Sequence, residues 1–310
     1  MGMPRTPRFL PHPGATVEIT QRTIQGRYLF KPSPRLNALV VGCLARAQKN
    51  TAASVHAVAV MSNHIHVLAS FDTVEQMSQF MGQFTSNVSK EVGRLHDWSG
   101  PKFAGRYHSV PLSDEPEIHE QRLRYLLSQG AKEGLVLSPR DWPGVHCASA
   151  LADGQPLKGI WVDRTRLFAA RQKDPTVSEK QFTSEEELRL TPLKHMRRLG
   201  AEARRARVAR IIEDIEELTL ERHRREGTAP VGAGAVCRRH PHGRPSRLAK
   251  SPKPYFHATK AAFRILMDGF REFVAVYRLA AERLAEGDTR VQFPENCFPP
   301  GLPFVEPVFA

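Results

Sequence analysis

Two histidines stand two residues apart, His64-Ile65-His66, inside a β-branched and apolar run that predicts a strand. Side chains at i and i+2 share a strand face, so both imidazoles can reach one ion while Ile65 and Val67 enter the core. The bare pair reads equally as two histidines on a polar sheet face. Farther along, Tyr125 is followed four residues later by Gln129 within a helix predicted over 116–136. That spacing sets a phenol and a carboxamide side by side on one helical face. The Gln oxygen can then complete an ion's shell with the phenol oxygen next to it. The alternative is an ordinary packing aromatic beside a solvated amide.

The elements that must position these groups follow in order. A strand is predicted over 17–30 with a bend at Gly26, then a helix over 33–50. Strands over 55–60 and 64–69 are joined by Met61-Ser62-Asn63 as a hairpin. A helix over 73–98 is stopped by Ser99-Gly100-Pro101, a short strand spans 102–112, and the 116–136 helix weakens at Gly130 and Gly134. This order implies an α+β fold of the ferredoxin-like or RRM-like kind: an antiparallel sheet with helices on one face and the other face open to a ligand. Beyond about residue 161 the character changes. Charged amphipathic helices are predicted over 200–225 and 259–286, and between them lies a proline-rich basic stretch without Asp or Glu. The expected division is a domain over 12–165 and a basic, mainly helical C-terminal extension over 166–310, with a flexible strap around 227–258.

Composition narrows the partner class. The 310 residues carry 45 Lys and Arg against 32 Asp and Glu, a formal charge of +13, which favours an anionic partner through phosphate neutralisation. Cys43, Cys147, Cys237 and Cys297 form no C-x-x-C pair, so no disulfide framework or four-cysteine zinc site is expected. Cys237, His240 and His242 cluster without a clear fourth ligand. No long uncharged apolar run predicts a membrane span, and no apolar leader is evident. A cytoplasmic protein is the expectation. The Gly-x-x-x-x-Gly-Lys-[Ser/Thr] loop is absent, so no nucleotide cofactor is expected.

Several runs, in order, carry a family resemblance. His56-Ala57-Val58-Ala59-Val60-Met61-Ser62-Asn63-His64-Ile65-His66-Val67-Leu68 resembles the signature strand pair of the single-tyrosine HUH transposases, especially the REP-associated tyrosine transposases. Trp98 to Tyr107 resembles the family's Gly/Trp-rich segment, Tyr125-Leu126-Leu127-Ser128-Gln129-Gly130 its tyrosine helix, and Ser138-Pro139-Arg140-Asp141-Trp142-Pro143 the segment that follows. The resemblance spans about residues 12–165. Three departures stand out: Ser62 for the usual Pro, Gln129-Gly130 for Asn-Pro, and Ala148-Ser149 for Trp-Ser.

The resemblance implies that His64, His66 and Gln129 hold a divalent metal ion and that Tyr125 is the nucleophile. Two imidazoles and an amide oxygen suit Mn²⁺ or Mg²⁺. The implied activity is cleavage and rejoining of single-stranded or hairpin-forming DNA through a 5′-phosphotyrosine, by a monomer or homodimer. Candidate DNA contacts are Arg94, Lys102, Arg106, Tyr107, Arg122 and Arg124 around the site, and Arg238, Arg239 and Arg244 of the strap. Arg247, Lys250 and Lys253 extend that basic run. A second reading is a domesticated module that binds structured single strands without turnover, motivated by the large C-terminal addition. A third is an RNA-binding protein whose histidine pair is structural.

Overall fold

The computed structural model describes residues 7–246 and 254–301, so Arg247, Lys250 and Lys253 lie outside the described residues. Strands β1 (Ala15–Arg22), β2 (Ser54–Met61), β3 (His64–Phe71) and β4 (His108–Pro111) form one sheet in the order β2-β3-β1-β4. All neighbours are antiparallel. The two-residue turn Ser62-Asn63 closes the β2–β3 hairpin, with Met61 opposite His64. Backbone groups of 145–147 bond to Val58 and Val60 along the outer edge of β2.

Helices α1 (Pro34–Thr51) and α2 (Val74–His96) pack against each other. Ser33 caps α1 by accepting the Leu36 N–H, and Pro34 has the fixed φ that suits a first turn. Thr73 caps α2 in the same way through the Gln76 N–H. The Phe71 and Phe80 rings lie 5.8 Å apart, so the β3 face bearing Ile65, Val67 and Phe71 turns towards α2. The opposite face carries His64, His66 and Leu68, with Arg22, Thr20 and Glu18 beside them in register on β1. Helix α3 (Pro116–Leu127) crosses this second face near β2 and β3. Helix α3 thus covers part of the face that bears His64 and His66.

Three predicted elements prove shorter. The first strand ends at Arg22 because Gln25 (φ 54°) and Gly26 (φ 68°) turn the chain. The fourth is confined to His108–Pro111, since Gly105 adopts φ 154° and interrupts the ladder. Helix α3 stops at Leu127, where Gly130 (φ 88°) and Gly134 (φ 67°) fold the chain into turns, so Gln129 lies just past the helix.

The C-terminal region adds α4 (Ala148–Asp153), β5 (Leu157–Val162), α5 (Arg164–Lys173), β6 (Thr183–Leu188), α6 (Ala201–Glu226), α7 (Ala233–Arg238) and α8 (Lys260–Ala285). The β5–β6 hairpin was not predicted; the expected extension was mainly helical. The short helix α7 likewise lies inside the expected strap. Val208, Ile211, Ile212 and Ile215 of α6 share one hydrophobic core with the four-stranded sheet. Residues on both sides of 165 therefore bury a common apolar surface. Residues 242–243 of the strap run against 27–28: Arg27 donates to His242 O at 2.6 Å and the Tyr28 N–H to Gly243 O at 2.9 Å. No helix among the described residues is long and apolar enough to cross a membrane.

The hairpin sits on α1 by direct backbone contact at two glycines. A Cβ at Gly42 would meet Ile160 O at 1.8 Å, and one at Gly159 would meet Gly42 N at 2.4 Å. Gly42→Ala is therefore expected to cost about 2–3 kcal/mol, because backbone rather than a flexible side chain must yield. A melting midpoint equal to wild type would contradict this contact.

Two buried histidines on or beside β2 make stability depend on pH. Burial lowers His56 to about 4, its ring held between Thr191 O and Ser70 Oγ, and burial lowers His146 to about 4. The unfolded chain binds protons below about 6.5 that the native chain refuses, so stability is intact above that pH and falls towards pH 4. The limiting slope is about 1.4 kcal/mol per pH unit for each histidine. Urea denaturation at pH 7 and pH 5 checks it; coincident midpoints would refute the assignment.

Candidate functional site

The hairpin turn and the end of α3 bring four of the sequence-selected residues together. The His64 and His66 rings lie 5.0 Å apart, and the Tyr125 ring is 5.8 Å from that of His66. Gln129 is fully buried, with Oε1 3.4 Å from His64 Nε2. Although Gln129 lies past the helix, Ser128 keeps helical dihedrals, so the chain advances far enough to retain the expected juxtaposition. The Arg122 guanidinium and the Lys132 ammonium stand over the Tyr125 ring, at 4.0 and 3.7 Å from its centroid.

Hydrogen bonds orient each group. His64 Nδ1 donates to Asn63 Oδ1 at 2.7 Å and His66 Nδ1 to Glu18 Oε1 at 3.3 Å. With the protons on Nδ1, both Nε2 lone pairs are left free. Gln129 Nε2 donates to the backbone oxygen of Tyr125 at 3.0 Å, which turns Oε1 towards His64. In that tautomer Nε2 and Oε1 are both acceptors, 3.4 Å apart. A cation at that point would satisfy both.

Electrostatics keep the His64 ring neutral. Burial first, then the nearby His66, lowers His64 to about 3, so its ring is neutral at ordinary pH and has the lone pair that ligation requires. Burial alone would raise the Glu18 carboxyl. Hydrogen bonds from His257 and His66, with the charge of Arg122, overcome that and hold it well below the usual carboxylate range. Among the described residues no three His, Cys, Asp or Glu side chains gather as a metal centre. The donor set here is two imidazoles and one amide.

The candidate DNA contacts fare unevenly. Arg122 binds Glu18 inside the site. Arg124 pairs with Asp214 of α6 at 2.6 Å. Arg94 pairs at 3.1 Å with Glu91, which also binds Arg164. Lys102 Nζ donates to Trp98 O and Gly100 O, stapling its loop. Tyr107 is half-buried beneath Arg8, whose guanidinium lies 3.7 Å from the ring centroid, and Arg106 beside it is exposed. In the strap, Arg238 and Arg244 are exposed and Arg239 lies over Tyr28.

Sequence reasoning missed Glu18, Asn63, Lys132 and His257 as neighbours of the site. Glu18 had a signal, a charge in the middle of the apolar strand Val17-Glu18-Ile19. Asn63 was read only as a turn residue. Lys132 and His257 depend on turns and tertiary placement that no local pattern encodes.

Comparison with known proteins bears out the resemblance over part of the chain. Residues 33–125 match the family model described as "Transposase IS200 like", a span running from the cap of α1 to Tyr125. Among solved structures, a REP-associated tyrosine transposase bound to a REP hairpin aligns at 15% identity, over 44% of this chain and 79% of that one, with a TM-score of 0.36. A candidate transposase from Deinococcus radiodurans R1 aligns at 12% identity, over 39% and 96%, with a TM-score of 0.28. No curated protein matches the chain.

Proposed function

We propose that this chain, whose residues 33–125 match the IS200-like transposase family, is a metal-dependent single-strand DNA endonuclease and strand transferase with Tyr125 as its nucleophile. The observation that carries the reading is the opposed pair of acceptors, His64 Nε2 and Gln129 Oε1, at 3.4 Å beside His66 and Tyr125. His64, His66 and Gln129 are the residues that would hold Mn²⁺ or Mg²⁺. Such an ion, when bound, would polarise a phosphate oxygen and offset the negative charge on the phosphoryl oxygens.

The chain's own groups supply the rest. Tyr125 Oη attacks the scissile phosphorus, a 5′-phosphotyrosine bond forms, and the bond to the 3′ oxygen breaks. The phenol gives up a proton and the departing oxygen takes one, so each direction exchanges one phosphodiester for another and needs no nucleotide. Lys132 and Arg122 hold the phenol ring and place positive charge beside an incoming phosphate. Hairpin-forming single-stranded DNA is the proposed substrate, and the +13 charge suits its backbone.

The test is incubation of the full chain with a labelled, hairpin-bearing oligonucleotide in Mn²⁺, Mg²⁺ or chelator. A covalent adduct that appears with either ion and vanishes in chelator supports the proposal. Binding of equal affinity in chelator with no cleavage under any ion would replace it with a binding module.

A further inference from the structure

Glu18 is an acid at the centre of the sheet, 3% exposed, flanked on its own face by the apolar side chains of Leu68 and Val110. Burying an ionised carboxylate is costly unless it is fully hydrogen-bonded. Here the donors converge from three directions. His66 Nδ1 on β3 lies at 3.3 Å, Arg122 on α3 offers Nε at 2.8 Å and an Nη at 2.6 Å, and His257 Nε2 reaches Oε2 at 3.0 Å. A structural pair with Arg122 alone would satisfy one edge of the carboxylate. The two histidines are what set this group apart from an ordinary buried ion pair.

We propose that Glu18 and His257 are positioning residues of the candidate metal site, Glu18 by fixing His66 and His257 by holding Glu18. This rests on the reading of His66 as a ligand. A carboxylate on Nδ1 sets the tautomer, aims Nε2 and raises the basicity of a ligating imidazole. The same carboxylate grips Arg122, whose guanidinium covers the Tyr125 ring, so one anion orients the ligand and braces the nucleophile.

The placement of His257 is built into the fold. Its N–H donates to Pro111 O at 3.0 Å, the Ser113 N–H donates to its carbonyl at 2.9 Å, and a parallel bridge joins it to Leu112 at the outer side of β4. The preceding Phe256 is buried against Phe9 and Phe270, while Thr259 Oγ1 binds Glu115 and caps α8. Alternation along this extended segment then directs the imidazole inward to Glu18. Residues beyond the family-matched span thereby complete the site's inner network.

The experiment uses the full chain with His257→Leu, which fills the volume without a donor, His257→Gln, which keeps one, and Glu18→Ala. Mn²⁺ alone is the probe, titrated by electron paramagnetic resonance. Nitrogen-15 histidine spectra of the metal-free protein report the His66 tautomer, assigned with His66→Gln. Expected are a roughly tenfold loss of Mn²⁺ affinity in His257→Leu, recovery of most of it in His257→Gln, and a larger loss in Glu18→Ala together with the Nδ1–H signal of His66. Equal affinity in His257→Leu and His257→Gln overturns the role of His257, and an unchanged His66 signal in folded Glu18→Ala overturns that of Glu18. Should Glu18→Ala fail to fold, the two His257 variants decide. Wild-type protein that takes up no Mn²⁺ sinks the metal reading instead, and the metal-free spectra still test the contact between Glu18 and His66.

Discussion

Tyr125→Phe is expected to abolish the covalent protein–DNA adduct and to lower cleavage by on the order of a thousandfold or more, because it removes the atom proposed to attack phosphorus. The change is small structurally. The ring remains beneath Arg122 and Lys132 and beside His66, so folding and DNA affinity should stay close to wild type. Loss therefore belongs in kcat rather than in binding. Of the chain's five tyrosines, Tyr107 lies under Arg8, Tyr28 under Arg239, and Tyr277 is buried. Persistent adduct in the variant, mapped to Tyr255 or elsewhere, would exclude Tyr125 as the nucleophile.

His66→Ala is the second large effect, with cleavage expected to fall about a hundredfold or more and Mn²⁺ binding to weaken in parallel. His66 touches both sides of the site, since its ring faces Tyr125 while Nδ1 bonds Glu18. Its removal takes away a proposed ligand and one donor to a buried carboxylate. Arg122 and His257 still hold Glu18 through Oε2 while Oε1 loses its His66 partner, so the stability loss should be about 1–3 kcal/mol and leave a folded protein. Calorimetric titration of Mn²⁺ beside a cleavage assay separates the outcomes. Full activity with intact metal binding in this variant would remove His66 from the ligand set. Gln129→Leu, near in volume, is expected to show a smaller loss, because it removes one proposed oxygen ligand while the Tyr125 carbonyl keeps its bond from Ser128 Oγ.

Elements with strong local signals were legible in the residues alone. Ser33-Pro34 and Thr73 start helices by satisfying their first N–H groups, and the β-branched runs around Ser62-Asn63 make a hairpin whose alternation puts His64 and His66 on one face. Those patterns are carried within a few residues, so they survive without knowledge of the fold. The remaining features rest on contacts between distant segments. The positive φ at Gly130 ends α3 before Gln129, yet the buried carboxamide still turns its oxygen to His64. Arg122 and Arg124, alike as helix charges in the sequence, divide between Glu18 and Asp214 according to which neighbour each meets. The β5–β6 hairpin packs onto α1 because Gly42 and Gly159 let two backbones touch, and His257 reaches Glu18 because its segment pairs beside β4. Local propensity fixes which face a side chain takes along its own element; its partner is set by packing, where residues far apart in the chain compete for the same buried space.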